Sequence, residues 1–371
     1  MKRIILSGGG TGGHIYPAVA VAEALKRAWG EEVEILFVGA EGRMEMEKVP
    51  ALGYRIEGLP VAGLQRSLTL KNIKGNLLVP FKVVASVRRA KRIIREFKAD
   101  AVVGFGGYAS APILWAAQHL GVPTLIQEQN SYAGLTNKIL SKRAKRICVA
   151  YDKMERFFPA ERITLTGNPL RGRFSADGSN REEALAHYGF KADMPVILVV
   201  GGSLGTRTLN EMMKSWIKTL GGEAPVQVIW QTGKYYEKEM QAFLEEHPTS
   251  NIWQGAFIER MDYAYAAADV VLSRSGACTV SELCLVAKPT IFVPSPNVAE
   301  DHQTKNAMAL VEKDAAAMVH DSEAVVRGMH EAVALAKDKA RCEALRLNIA
   351  KLAIADSAER VVREIEKLIT K

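Results

Sequence analysis

A strand, a glycine turn and a helix start follow one another twice in this chain, and that arrangement limits both the fold and the ligand it can hold. The first copy is a short apolar run, residues 4–6, followed by GGGTGGHIYP at residues 8–17. The second, PVILVVGGSLGTRTLNE, begins at Pro195. Glycines let the backbone approach a ligand closely, and the first N–H groups of a helix have no partner inside it, so each copy is a cradle for an anion. Two such cradles in a chain of 371 residues, longer than one hydrophobic core usually serves, predict two Rossmann-like α/β domains with parallel sheets facing a central cleft.

Short apolar strands alternate with helical segments throughout, which is the pattern of a parallel sheet covered on both faces. Strands are expected at 3–6, 34–38, 101–104, 124–127, 146–149 and 163–166, then at 196–200, 227–231, 251–254, 270–273 and 290–293. Gly167-Asn168-Pro169 is a turn signal between the two sets, so the expected spans are 1–167 for the first domain and 168–350 for the second. The tail is helical in pattern, and residues 351–371 are expected to pack back on the first domain. Residues 101–127 contain no Asp, Glu, Lys or Arg, but glycines and prolines break them into strand, loop and helix, which reads as buried core rather than a membrane span. Met1-Lys2-Arg3 precedes too few apolar residues for a signal peptide. Four cysteines without a CxxC pair indicate neither a disulfide framework nor a structural metal, and a cytoplasmic setting fits them.

The net charge of +8 is concentrated in one stretch. Arg66, Lys71, Lys74, Lys82, Arg88, Arg89, Lys91, Arg92, Arg95 and Lys98 stand against Glu96 alone, so the rest of the chain is about neutral. Two readings stay open. Val87, Ala90, Ile94 and Phe97 form a helical core stripe that would leave the cations on a solvated face. Alternatively Leu77, Leu78 and Phe81, with Trp115 nearby and Lys74 and Lys82 as collar, form an apolar knob docking on an anionic membrane surface. No stacking array accompanies the charge, so nucleic acid is not an expected partner.

Gly8, Gly10 and Gly13 satisfy GxGxxG, yet the second strand ends without the acid that would hold a dinucleotide ribose, and Glu41 is a poor substitute. No nicotinamide cofactor is expected, and no Asp-x-Asp offers a metal site. His14 stands at a helix start, where the dipole disfavours the imidazolium and keeps the ring neutral, as a general base requires. The second glycine loop offers backbone donors and the Ser203 hydroxyl to a diphosphate; a plain tight strand-to-helix connection is the alternative, though it gives no reason for Ser203 and Arg207, while Arg171 reads equally as a ligand or as a surface arginine. Glu282, one turn into a helix after Arg274-Ser275-Gly276, is either part of a capping box or an acceptor for ribose hydroxyls.

Taken in order, GGGTGGHIYP, GFGGYASAP, EQNSYAGLTNK, GNPLR, GGSLG, RSGACTVSE and EDHQTKNA resemble the motif series of the MurG family across nearly the whole chain. That family transfers N-acetylglucosamine from UDP-GlcNAc to lipid I, undecaprenyl-pyrophosphoryl-MurNAc-pentapeptide, giving lipid II for peptidoglycan. The resemblance implies a GT-B glycosyltransferase that inverts the anomeric carbon without a cofactor or an essential metal, with the donor chiefly on the second domain and the acceptor on the first. It implies peripheral attachment to the cytoplasmic face of the bacterial inner membrane, among cell-wall synthesis proteins as partners. Carried over by motif, His14 and Glu128 are the catalytic candidates, and Thr11, Gly12, Gly13 and Asn130 line the substrates. Arg171 and Ser203 meet the diphosphate, and Ile258 addresses uracil through its backbone. Ala277, Cys278, Thr279, Val280, Ser281 and Glu282 hold the nucleotide, with Glu282 on the ribose, and Gln303 meets the donor sugar. Gln127 departs from the family, which has histidine there. The rival readings are a galactosyltransferase acting on diacylglycerol and a catalytically idle nucleotide-sugar-binding protein that recruits partners.

Overall fold

A computed structural model describes residues 1–61, 79–171, 180–202 and 204–370, without the side chains of 79–81 and 299. Lys74, Leu77, Leu78, Ser203 and the side chain of Phe81 therefore lie outside the described residues. The chain divides into two compact units, Met1–Gly172 with Ile354–Lys371, and Arg173–Ala353.

Among the described residues of the first unit, seven parallel strands lie in the order β3-β2-β1-β4-β5-β6-β7. They are β1 (Lys2–Ser7), β2 (Val33–Ala40), β3 (Ile56–Leu59), β4 (Ala101–Gly104), β5 (Thr124–Glu128), β6 (Arg146–Val149) and β7 (Ile163–Leu165). Consecutive residues are apolar because helices cover both faces of the sheet. Ile4 and Leu6 join Phe37, Val103 and Leu125 in one core, together with the helices Gly12–Trp29 and Ser357–Ile369. Ile5 joins Leu36, Val38, Val102 and Ile126 in the other, under the helices Val79–Phe97 and Gly107–His119. The uncharged residues 101–127 are thus strand, helix and strand inside a packed core, and among the described residues no helix is long and apolar enough to cross a membrane.

The second unit repeats the plan, with six parallel strands among its described residues in the order β10-β9-β8-β11-β12-β13. These are β8 (Val196–Val200), β9 (Glu223–Gln231), β10 (Ser250–Gly255), β11 (Val270–Ser273), β12 (Thr290–Phe292) and β13 (Ala317–Met318). Trp230 is fully buried at its centre, and its indole N–H donates to Asn210 Oδ1 at 3.0 Å. In each sheet the order reverses beside the first strand, between β1 and β4 and between β8 and β11. Chains leaving those strands turn to opposite faces, which opens a crevice at their carboxyl ends.

Two strands escape the sequence pattern, β3 and β13. Both are edge strands of four and two residues, paired on one side only, so they need no long apolar run. The first unit's main segment ends at Gly172, shortly after the GNP turn, whose Asn168 is buried, accepts from Gln127 Nε2 at 3.3 Å, and donates to Gln129 O at 3.0 Å. The helical tail is two helices. Lys339–Ala350 belongs to the second unit, while Ser357–Ile369 returns to the first, where Ser357 Oγ donates to Asn168 O at 2.8 Å.

Candidate functional site

His14 stands at the first unit's switch point, in the first turn of the helix Gly12–Trp29. Its Nδ1 lies 3.0 Å from Gly9 O and 3.2 Å from Thr11 Oγ1. A carbonyl oxygen only accepts, so Nδ1 carries a proton. The turn after β4 lies flat on this ring. Gly106 and Gly107 have φ of +92° and +79°, and a Cβ on either would come within 3.2–3.3 Å of the imidazole. On Gly107 it would also collide with Gly9 O. Only glycine satisfies both the backbone conformation and the approach.

The glycine loop is held from beneath by Glu45, a residue that no sequence motif marks. Its fully buried carboxylate accepts from Gly10 N and from Ala40 N, each at 3.0 Å, tying the loop to the end of β2. In sequence, Glu45 looks like one more acid of a charged helix. The signal that could have found it is the pair Gly9 and Gly39, where any Cβ would run into the Glu45 side chain. Glu41, the weak dinucleotide candidate, instead pairs with Arg89 on the surface.

Glu128 ends β5 and is also buried. One carboxylate oxygen accepts from Asn130 N at 3.1 Å and Asn130 Nδ2 at 3.3 Å; the other accepts from Gly134 N at 3.1 Å and Asn137 Nδ2 at 2.8 Å. Four donors make it the organiser of the loop that presents Asn130. Gln127 and Gln129 point into a buried amide network with Phe105 O and Asn168. Thr11 and Gly13 are exposed on the rim, with Gly12 half-buried. Arg171 is half-exposed, and its Nε lies 3.2 Å from Glu23 Oε1 on the helix Gly12–Trp29. Of the docking candidates, Lys82 is exposed. Trp115 is 40% exposed, stacks on His119, and has the Lys91 ammonium 5.7 Å from its ring.

In the second unit the loop after β8 turns through Gly202 and Gly205, with φ of +86° and +80°. Gly205 packs backbone to backbone on Gly233, and Thr206 Oγ donates to Gly201 O at 2.8 Å before the helix Arg207–Ile217 starts. The loop after β11 leads into the helix Ala277–Val286, whose first ladder bond runs from Val280 N to Gly276 O at 2.9 Å. The capping-box reading fails here. The cap is Gly276 with no side-chain bond, and Ser275 Oγ instead donates to Gln303 O at 2.8 Å. Gln303 Oε1 accepts from Ser295 N at 2.9 Å, so it is tied to both neighbouring loops. Arg274 is anchored by Asp321, which also accepts from Thr208.

Glu282 is half-buried, and its carboxylate accepts from Tyr265 Oη at 3.2 Å. Burial pushes its carboxyl up to about 7, with the Tyr265 hydrogen bond opposing. Along the same helix Ala277, Cys278, Thr279 and Ser281 are half-buried and Val280 is buried. Burial, reinforced by the Glu282 charge, pushes the Cys278 thiol up to about 12, which removes it as a nucleophile. Ile258 is 2% exposed, in the segment between β10 and the helix Met261–Ala267.

The glycosyltransferase family 28 N-terminal domain matches residues 4–149, and the family's C-terminal domain matches residues 196–361. The UDP-N-acetylglucosamine–N-acetylmuramyl-(pentapeptide) pyrophosphoryl-undecaprenol N-acetylglucosamine transferase of Parabacteroides distasonis is 53% identical over 369 residues, covering 100% of this chain and 99% of that protein. The chain belongs to the MurG family of glycosyltransferases. The enzyme of the same name from Porphyromonas gingivalis is 52% identical, with 99% and 96% of the two chains covered. The crystal structure of Acinetobacter baumannii MurG superposes with a TM-score of 0.79 at 30% identity, over 99% of this chain and 100% of that one. A calicheamicin glycosyltransferase, at 18% identity and a TM-score of 0.70, shares the two-domain fold. In this MurG-family chain both switch-point loops carry the motifs read from the sequence.

Glu45→Ala leaves the buried N–H of Ala40 without its acceptor and frees Gly10 N, and is expected to cost about 1–3 kcal/mol in denaturant unfolding, whereas exposed Glu47→Ala stays within about 0.5 kcal/mol. Carboxyl-labelled NMR should place the Glu282 midpoint near 7, and Tyr265→Phe should move it upward, because that hydroxyl favours the ionised form.

Proposed function

We propose that this protein transfers N-acetylglucosamine from UDP-GlcNAc to the 4-hydroxyl of the muramyl sugar of lipid I, with inversion, yielding lipid II and UDP. The observation that carries the reading is His14 at the switch point of a MurG-family chain, its Nδ1–H committed to Gly9 O so that Nε2 is the basic nitrogen. In the proposed step the hydroxyl oxygen bonds to the anomeric carbon while the bond from that carbon to the UDP oxygen breaks. The hydroxyl proton passes to His14 Nε2. UDP leaves as an anion, stabilised by Arg171, Ser203 and the N–H groups of the second glycine loop. Holding both partners in line supplies much of the remaining rate advantage.

On this reading Thr11, Gly12, Gly13 and Asn130 line the acceptor, and Glu128 serves catalysis by fixing Asn130. Arg171 exchanges Glu23 for phosphate oxygens when donor binds. Glu282 accepts the ribose hydroxyls, Ile258 meets uracil through its backbone, the turn from Ala277 to Ser281 faces the nucleotide, and Gln303 meets the sugar. The substrate is anchored by an isoprenoid, so the enzyme must come to the membrane. The basic stretch containing Lys74 and Lys82, with Leu77, Leu78, Phe81 and Trp115, supports docking on the anionic cytoplasmic face of the bacterial inner membrane.

The deciding assay is mass-spectrometric detection of lipid II from lipid I and UDP-GlcNAc. Product only from UDP-galactose and diacylglycerol, or no turnover at all, would overturn the reading. His14→Ala should lower turnover about 10²–10⁴-fold with UDP affinity unchanged, and unchanged turnover removes it as the base. In vesicle flotation, Trp115→Glu and Phe81→Glu together should reduce binding even at low salt, while charge reversal at Lys74 and Lys82 acts mainly on anionic vesicles. Binding equal to the parent in both variants would place docking elsewhere.

A further inference from the structure

The second domain has a second concavity, at the other end of its sheet. Pro195, Asp269 and Pro289 immediately precede β8, β11 and β12, and they line a cavity of about 430 Å³ at the amino ends of the strands. The glycine loop and Glu282 follow the carboxyl ends of β8 and β11, so this cavity belongs to a different edge.

Lys288 enters the cavity between the helix Ala277–Val286 and β12. Its ammonium donates to Ala268 O at 2.8 Å, one of three N–H donors it carries. Two guanidiniums share the cavity, each already matched with a carboxylate. Arg181 donates to Ala267 O at 2.6 Å and to Asp269 at 3.0 Å, and Arg346 pairs with Glu343 at 2.7 Å. Asp193 and Lys339 complete the charged lining, which leaves one cation in excess. Among the described residues Lys288 makes no ion pair, while two neighbouring guanidiniums repel it. Burial first, then Arg181, pushes its ammonium down to about 8, with Asp269 opposing and Arg346 adding. Ala192, Met194 and Val286 form an apolar wall beside this charge.

We propose that this cavity binds a small organic phosphate, whose anionic head takes the remaining donors of Lys288 between Arg181 and Arg346 and whose body rests on the apolar wall. A bound anion favours the charged amine, so it raises the Lys288 midpoint, and affinity falls as pH climbs past about 8. The proposal does not depend on the donor sugar or acceptor.

The test uses the full chain with ¹³Cε-labelled lysine, titrated by NMR with inorganic phosphate and with glycerol 3-phosphate. A saturable shift of the Lys288 resonance is expected, tighter for the ester, with affinity falling about tenfold between pH 8 and 9.5. Lys288→Met should abolish saturable binding, Lys288→Arg should retain it, and neither should change UDP affinity. A shift that never saturates, or that sodium chloride of equal ionic strength reproduces, overturns the proposal. So does saturable binding that persists in Lys288→Met or disappears under saturating UDP. If Lys288→Met does not fold, the parent resonance alone decides by the same criteria.

Discussion

The hydrogen bond between His14 Nδ1 and Gly9 O is the contact around which the first domain's functional edge is arranged. It exists only if the glycine loop holds its shape, and the loop holds because Glu45 grips Gly10 N from below. It is productive only if the turn after β4 can lie against the ring, which Gly106 and Gly107 permit. Each support is a buried polar contact or a backbone approach too close for a side chain. The apolar core sets where β1, β2 and β4 end, and these short-range contacts decide what stands there.

The second domain repeats the architecture with different chemistry. Its corresponding loop is stiffened by Gly205 packing on Gly233, backbone on backbone, and by the Thr206 hydroxyl. Where the first domain positions an imidazole, the second positions a carboxyl whose charge is disfavoured by burial and partly restored by Tyr265. A group in that condition gains from any ligand whose hydroxyls solvate its anion. One topology thus supports two kinds of recognition because the switch point fixes a location and leaves the side chains open.

Gln127 ties the end of the sheet to the GNP turn and the returning tail. It lies in a fully buried amide network with Gln129 and Asn168, reaching through Asn168 to Ser357 on the returning helix. The side chain at position 127 therefore serves the joint between sheet, GNP turn and tail. Glu128 beside it turns to the other side and organises the loop up to Asn137.

Periodicity alone located eleven of the described strands, because parallel strands buried on both faces must be apolar runs, and it located both glycine loops, because a tight turn into a helix demands residues without Cβ. The edge strands β3 and β13 carry no such demand and were invisible. The sequence also singled out His14 and Glu282 as residue types suited to their positions. What it could not decide was partnership. Whether Glu282 caps a helix or faces Tyr265, whether Arg171 is alone or paired with Glu23, and which acid of the segment after β2 lies under the glycine loop all depend on residues distant in sequence. Hydrogen bonds and burial of that kind arise from three-dimensional proximity, which local pattern does not encode, and only the tertiary structure assigns them.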